Sequence, residues 1–398
     1  MTSLKIEKGR LSHTVNIPGS KSYANRALIL AAIKRTPFKI ENLPDSTDVT
    51  YLLEALKRMG LNIEVTGTTC TILNSYPACE SQDLTLPVGE GGTTARFLAS
   101  LCLLGNKTYI LILGERLKER PWQEFIAFVQ THGGVARLEG NQLILKGPLS
   151  LPDKLSVDCS RTTQFASGIA LVFSNTQVIP ANMSSSQSYW NMTLDLMDTV
   201  KTQNSFSVPL DWSSASYPLA FGALHHEIEF PGLKFDGHQA DAKFLEVLKS
   251  FNIVSENDFG LKISPLTSYH SVQMDVSDCL DLVPALSFFL SHVEGSHELK
   301  GIENLKHKES DRLNEVIKLL YAFDKKARTD GHSLFIPGDL SLKKDPVDLH
   351  LPDDHRMVMT AALFLLHHGG GSLDQVSAVN KSYPQFFEIL HTTQRSSL

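Results

Sequence analysis

Along the chain, runs with apolar residues at helical spacing close on a turn residue and are followed by two short alternating segments. That order is the signature of an amphipathic helix leading into a β-hairpin. It predicts a helix over Val49–Met59, with Leu52, Leu53 and Leu56 on the apolar face and Gly60 at the end, then strands over Asn62–Val65 and Thr69–Leu73. Trp122–Gln130, carrying Phe125, Ile126 and Val129 and broken by Gly133 and Gly134, leads likewise into Val135–Leu138 and Gln142–Leu145. Phe244–Phe251 with 253–263, and Leu313–Phe323 with 326–336, repeat the order. Val129 follows Leu56 by 73 residues and Leu319 follows Leu248 by 71, but Leu248 follows Val129 by 119, which leaves room for one shortened copy around Thr193–Val200. Repetition at this size predicts an α/β body of similar modules, one of them truncated, rather than one doubly wound sheet.

A chain of 398 residues is longer than one core usually serves, so two domains are expected. A net charge of -6 argues against a general nucleic-acid or membrane-surface partner, yet leaves room for a local basic cleft. No apolar run reaches the ~18 residues of a membrane span, and the first residues lack an apolar core of signal-peptide length. Cys70, Cys79, Cys102, Cys159 and Cys279 show no Cys-x-x-Cys spacing, so a reducing, cytoplasmic location is expected.

The basic cleft has candidates. Pro18-Gly-Ser-Lys-Ser-Tyr-Ala-Asn-Arg26 places turn residues, Lys21, the hydroxyls of Ser20 and Ser22, and Arg26 at the start of the helical run Ala24–Ile33, a ready anion site. Val88-Gly-Glu-Gly-Gly-Thr-Thr-Ala-Arg96 before Phe97–Leu104, and Ser160-Arg-Thr-Thr-Gln164 before Phe165–Phe173, repeat the construction; Gly91 and Gly92 admit a ligand close to the backbone, and Thr93 or Thr94 is the expected N-cap. Three clusters put cations near further helix starts: Glu119-Arg120-Pro121, Lys306–Arg312, and Asp353-Asp-His-Arg356 with Lys381 beyond. Ser310 is the expected cap of the helix after it, which leaves Arg312 in the first turn against the helix dipole and so suggests a nearby anion. Asp281, before the apolar run Ala285–Leu290, reads as an N-cap first and a general base second. Asp353, Asp354 and His355, or His367 and His368, do not give the three or four ligands of recognisable spacing that zinc needs, so no metal is expected.

Taken in order, Pro-Gly-Ser-Lys-Ser, Gly-Gly-Thr-Thr-Ala-Arg, Glu-Arg-Pro, Ser186-Gln-Ser-Tyr189, Asp211-Trp-Ser-Ser-Ala-Ser-Tyr217, Lys-Glu-Ser-Asp-Arg-Leu313, Asp-His-Arg-Met357 and Lys381-Ser-Tyr-Pro384 resemble the 5-enolpyruvylshikimate-3-phosphate synthase family of enolpyruvyl transferases. The resemblance implies an α/β (α+β) fold, a two-domain inside-out barrel of six βαβαββ units. The upper domain would be 20–221, on the shikimate 3-phosphate side. The lower would be 1–19 with 222–398, carrying the catalytic carboxylates and the arginines for phosphoenolpyruvate. It implies a shikimate 3-phosphate set of Lys21, Ser22, Arg26, Thr162, Thr163, Gln164, Ser186, Tyr189, Asp281, Asn304 and Lys308. For phosphoenolpyruvate it implies Lys21, Gly92, Arg120, Gln164, Arg312, Arg356 and Lys381. A phosphate and carboxylates gathered in one place need such a surplus of Arg and Lys. Asp281 would take the proton of the attacking hydroxyl, while Glu309 and Lys21 would share proton traffic at the methylene carbon and stabilisation of the leaving phosphate. The chemistry requires no cofactor, and a monomer acting on these small molecules is expected.

Against the family pattern, Glu90 stands where asparagine is common, and a carboxylate there would weaken anion binding unless protonated, turned away or paired. Thr162 and Thr163 replace paired serines, keeping the hydroxyls but adding methyls. The short stretch from Asp198 to Leu210 removes most of a hairpin and threatens to leave a sheet edge open.

Overall fold

The computed structural model describes residues 3–77, 83–183 and 185–392, so Cys79 lies outside the described residues. The chain forms two compact units, one of Met1–Pro18 with Leu210–Leu398 (unit 1) and one of Gly19–Pro209 (unit 2). The return expected after Phe221 therefore falls earlier, at Pro209. The reason is packing, since Trp212, Tyr217 and Phe221 are buried in the same core as Ile228 and Phe288 of unit 1.

The helices of unit 2 are α1 (Lys21–Ile33), α2 (Thr47–Arg58), α3 (Gly92–Cys102), α4 (Gln123–Thr131), α5 (Gln164–Val172) and α6 (Gln187–Thr202). Those of unit 1 are α7 (Trp212–His225), α8 (Lys243–Ser250), α9 (Val283–Ser291), α10 (Arg312–Ala322) and α11 (His355–His367). Among the described residues no helix is long and apolar enough to cross a membrane.

One complete βαβαββ copy runs from Leu84 to Lys146. Leu84–Gly89 pairs parallel with Thr108–Leu113 across α3, and after α4 the hairpin of Val135–Glu139 and Gln142–Lys146 closes antiparallel onto Thr108–Leu113. Unit 1 repeats this from Gln273 to Gly338, with α9 and α10 as the helices. In the copy after Lys154–Asp158 the hairpin is missing, as the short 198–210 stretch predicts; only Ser205–Ser207 follows α6. That strand covers what would otherwise be the open edge of the first copy's sheet. It pairs parallel with Phe38–Glu41, completing the four-stranded sheet of the first copy at the position its own opening strand would take.

Strand and helix limits follow the predicted ones within a residue or two in the clear repeats. The caps do not. Gly91 rather than a threonine caps α3, Asp311 rather than Ser310 caps α10 by accepting from Asn314 N, and Asp281 lies in a short 3-10 turn, Leu280–Leu282, with its carboxylate used elsewhere. The Thr94 hydroxyl donates to the Asp48 carbonyl at 3.0 Å and accepts from Asn25 at 3.2 Å.

Candidate active site

In unit 2 the candidate residues gather at the starts of α1, α3, α5 and α6. Lys21, the first residue of α1, is a cation where the dipole disfavours one, and its ammonium donates to Asp48, in the first turn of α2, at 2.8 Å. Asp48 was missed in the sequence, where it falls just before the helix predicted to begin at Val49. Gly91 makes room for this pair, because a Cβ there would lie 2.8 Å from the Asp48 carboxyl carbon.

One turn on, Arg26 is 2 % exposed. It donates from Nε to Thr193 Oγ1 at 2.8 Å, from Nη1 to the Ser22 carbonyl at 2.8 Å and from Nη2 to the Tyr189 carbonyl at 3.1 Å. Its guanidinium also lies over the Phe97 and Tyr189 rings. Burial pulls its pKa down to about 10, only partly offset by Tyr189 and Tyr23, which leaves it charged at neutral pH. Ser186, at the start of α6, sits in the left-handed region (φ 66°), an uncommon conformation for a non-glycine residue.

Gln164 joins α3 to α5. Its Oε1 accepts from Arg96, its Nε2 donates to Thr93 Oγ1 at 3.2 Å, and its backbone N–H donates to Thr162 Oγ1 at 3.2 Å. Arg96, fully buried against Trp122 and Phe165, is a second residue the site assignment overlooked, although it closes the Gly-Gly-Thr-Thr-Ala-Arg motif. Thr163 is buried and precedes α5, while Arg161 turns outward to Glu124 at 3.1 Å.

Gly92 leaves room for the Arg120 guanidinium, since a Cβ there would come within 2.6 Å of Arg120 Nη1. Glu90 is turned onto the loop that carries Arg120, accepting from Leu117 N at 2.9 Å and Arg116 N at 3.3 Å.

In unit 1 the starts of α9, α10 and α11 converge on charge. Arg312 is completely buried and binds three carboxylates: Asp354 through Nε at 2.8 Å, Asp281 through Nη1 at 2.7 Å and Glu309 through Nη2 at 2.6 Å. Asp281 also receives Arg356 at 2.9 Å and Lys308 at 3.2 Å. Burial alone would raise the Asp281 carboxyl, but Arg356, Lys308 and Arg312 outweigh it and hold it well below the usual carboxylate range. Burial lowers the pKa of both arginines, but Asp354, Glu309 and Asp281 more than offset it at Arg312, and Asp281 with Tyr217, Asp241 and Asp211 does so at Arg356, so both rise.

Asp354 caps α11 by accepting from Arg356 N at 3.0 Å and also takes the Ser310 hydroxyl at 2.9 Å, which is why Ser310 does not cap α10. Asp241 lies beside this group; burial and the Asp281 charge push its carboxyl up to about 7 although Arg356 and the Ser213 hydroxyl oppose the rise. Asn304 is half-buried in the 3-10 turn Glu303–His307. Lys381 holds the Asp353 carbonyl at 3.0 Å. No run of sequence announces Asp241, and Asp354, although it opens the Asp-His-Arg-Met motif, takes its role from partners distant in the chain.

Helix starts that gather arginine and lysine in unit 2, and a carboxylate set among arginines in unit 1, define a protein equipped to hold oxyanions and to move a proton. Comparison with known proteins narrows this class. The family model of EPSP synthase (3-phosphoshikimate 1-carboxyvinyltransferase) matches residues 6–203 and 199–390, and the chain belongs to that family. It is 28% identical over 428 aligned residues, 99% of this chain and 100% of the relative, to the 3-phosphoshikimate 1-carboxyvinyltransferase of Photobacterium damsela subsp. piscicida. It is also 28% identical over 426 residues, 98% of this chain and 99% of the relative, to that of Sulfurovum sp. (strain NBC37-1). Among solved structures, EPSP synthase from Acinetobacter baumannii shares the fold with a TM-score of 0.77 at 20% identity, over 97% of both chains. The enolpyruvyl transferase NikO from Streptomyces tendae shares it with 0.76 at 16% identity, over 98% of this chain and 96% of its own.

Proposed function

We propose that this chain transfers the enolpyruvyl group of phosphoenolpyruvate to the 5-hydroxyl of shikimate 3-phosphate and releases phosphate, the step of the shikimate pathway on the way to chorismate and aromatic amino acids. Family membership supplies the reaction. The observation that carries it to these residues is the Asp281 carboxylate, ionised and held by Arg312, Arg356 and Lys308.

Two substrates carrying phosphates and a carboxylate each need cations, and the assignments follow the motif positions. By motif position, the residues that hold shikimate 3-phosphate are Ser22, Arg26, Thr162, Thr163, Gln164, Ser186, Tyr189, Asp281, Asn304 and Lys308. Gly92, Arg120 and Gln164, with Arg312, Arg356 and Lys381, hold phosphoenolpyruvate. Lys21 serves both.

The order of events follows from the charges. A base whose pKa is held down by three cations is a weak one. When a substrate phosphate or carboxylate takes over Arg312, Arg356 or Lys308, Asp281 loses part of that clamp and its affinity for a proton rises. Asp281 then accepts the proton of the 5-hydroxyl as that oxygen bonds to C2 of phosphoenolpyruvate, while C3 gains a proton to give a tetrahedral ketal. Loss of a C3 proton and departure of phosphate restore the double bond, so atoms balance without a cofactor. Glu309 and Lys21 share the C3 proton and the leaving phosphate.

The working unit is one chain acting in the cytoplasm. The four described cysteines are free and buried, which suits a reducing compartment, and sedimentation at the mass of one chain is the expected result.

Phosphate release on mixing the protein with shikimate 3-phosphate and phosphoenolpyruvate tests the reading. Asp281→Ala is expected to lower the rate by about 10²–10⁴-fold, as loss of a positioned acid or base does. Release by the unaltered protein no faster than by this variant would overturn the catalytic assignment.

A further inference from the structure

Helices α9, α10 and α11 share one direction. Their first turns meet at Arg312, Asp281 and Arg356, and their last residues meet as well, at His292, Phe323, His367 and His368. The end of α7 joins them through His225, whose Nε2 is hydrogen-bonded to His367 Nδ1. The C-terminal ends of four helices, each the negative end of its dipole, therefore surround a knot of imidazoles that the proposed reaction does not use.

Three of these rings, His292, His367 and His368, offer nitrogens that lie within 4.8 Å of one another, and all three residues are buried. Their hydrogen bonds assign the tautomers. Lys343 N–H donates to His368 Nδ1 at 2.8 Å, so His368 carries its proton on Nε2 and donates it to His292 Nε2 at 2.8 Å. His292 Nδ1–H in turn donates to the Phe288 carbonyl at 2.7 Å. His292 thus keeps a lone pair on Nε2 while a backbone carbonyl fixes the other nitrogen, the outer arrangement that metal-bound histidines show. His367 can be held in the same way, by donating from Nδ1 to His225 and leaving Nε2 open.

We propose that His292, His367 and His368 form a binding site for a borderline divalent cation of the zinc class, with His225 orienting His367 and a fourth position left to water. Imidazole is the ligand such ions favour, and the convergent helix ends add negative potential. Burial keeps the rings in the neutral, ligating form, with His368 lowered to about 3. Lys325 is near enough to oppose a cation, but its ammonium is tied to Asp339 at 2.9 Å and to the Ser341 carbonyl at 2.7 Å. Binding has two local costs: His368, whose one lone pair accepts Lys343 N–H, must release that donor to ligate, and it must give up its bond to His292 and re-aim, since tetrahedral donors about 2.0–2.1 Å from zinc sit roughly 3.3 Å apart. The spacing hid this site from the sequence, because His292 lies 75 residues before His367.

The test uses full-length protein freed of metal by chelator and then given one equivalent of Zn²⁺, with Co²⁺ as a spectroscopic probe and Mg²⁺ as control. One zinc per chain retained through gel filtration, a raised melting temperature with Zn²⁺ but not Mg²⁺, and visible ligand-field bands of nitrogen-ligated Co²⁺ are expected. His292→Gln should abolish retention, and His225→Asn should weaken it by about 10–100-fold, as loss of an orienting partner does. Both variants should keep the unaltered rate of phosphate release, which separates failure here from failure of the proposed reaction. No zinc retained by the unaltered protein, or equal retention by folded His292→Gln, overturns the site. If His292→Gln does not fold, X-ray absorption of the zinc-loaded unaltered protein decides: three imidazole nitrogens support the site, and an oxygen shell overturns it.

Discussion

Each unit buries an arginine among its candidate residues, and the two are held in opposite ways. Arg312 of unit 1 meets three carboxylates, whereas the hydrogen bonds of Arg26 in unit 2 run to a hydroxyl and two carbonyls. Unit 1 is thus charge-balanced before any ligand arrives, and an anion must compete for its cations. At Arg26, unit 2 keeps a desolvated charge that an anion can compensate directly. The difference suits the proposed base to unit 1, where Asp281 gains basicity when a ligand takes its cationic partners.

The sharpest way to break this comparison is to remove each arginine. Arg312→Met strands Asp354 in a buried site and takes one of three cations from Asp281; it is expected to cost about 3–5 kcal/mol, the penalty for breaking a buried ion pair from one side. Arg26→Met leaves only neutral acceptors without a donor and should cost about 1–3 kcal/mol. Urea denaturation of both variants measures the two losses, and equal losses would remove the distinction drawn here.

Acid should separate the units next. Of the 15 histidines, His132 alone belongs to unit 2, which leaves fourteen in unit 1. Burial lowers His225 to about 4 and His368 to about 3, and depresses His292 and His367 as well. A histidine kept neutral by folding binds its proton more readily unfolded. Its contribution is therefore complete above the unfolded value near 6.5 and is lost as pH falls from there toward 4 and 3. The slope is at most about 1.4 kcal/mol per pH unit for each fully buried ring. Trp212 is the tryptophan of unit 1, while Trp122 and Trp190 belong to unit 2, so fluorescence of Trp212→Phe follows unit 2 and that of the Trp122→Phe, Trp190→Phe double variant follows unit 1. Between pH 7.5 and 5.5 the melting temperature of unit 1 should fall more than that of unit 2; parallel shifts would contradict the histidine account.

What the sequence disclosed depended on the range of the interaction. Helix–hairpin copies were legible because apolar spacing and turn residues are local, and so was the truncated copy, through the short interval after Asp198. The fate of Ser205–Ser207 was not, since its partner Phe38–Glu41 lies far back in the chain. Lys21, Arg26, Arg312 and Arg356 could be chosen from motifs, but Asp48, Asp241 and Asp354 acquire meaning only from partners tens of residues away. The caps failed for the same reason. Ser310 is a good capping residue locally, yet Asp354 claims its hydroxyl.

Glu90 gives the finest test, because sequence and structure forecast opposite signs. Read as a carboxylate beside phosphoenolpyruvate, it repels the substrate, and its removal should tighten binding. In the fold its oxygens accept from Leu117 N and Arg116 N, at the turn that leads to Arg120, and its carboxyl lies over Gly114, where an added Cβ would stand 2.2 Å from the carboxyl carbon. Glu90→Ala then frees two backbone donors and loosens the loop bearing Arg120. The expected cost is that of a lost cap, about 0.5–2 kcal/mol of stability. The KM for phosphoenolpyruvate should rise and kcat should change less, whereas Glu90→Gln, which still offers one acceptor, should fall between. A lower KM in Glu90→Ala would show that repulsion outweighs the loop contacts, and the recognition role given to this part of unit 2 would have to be reassigned.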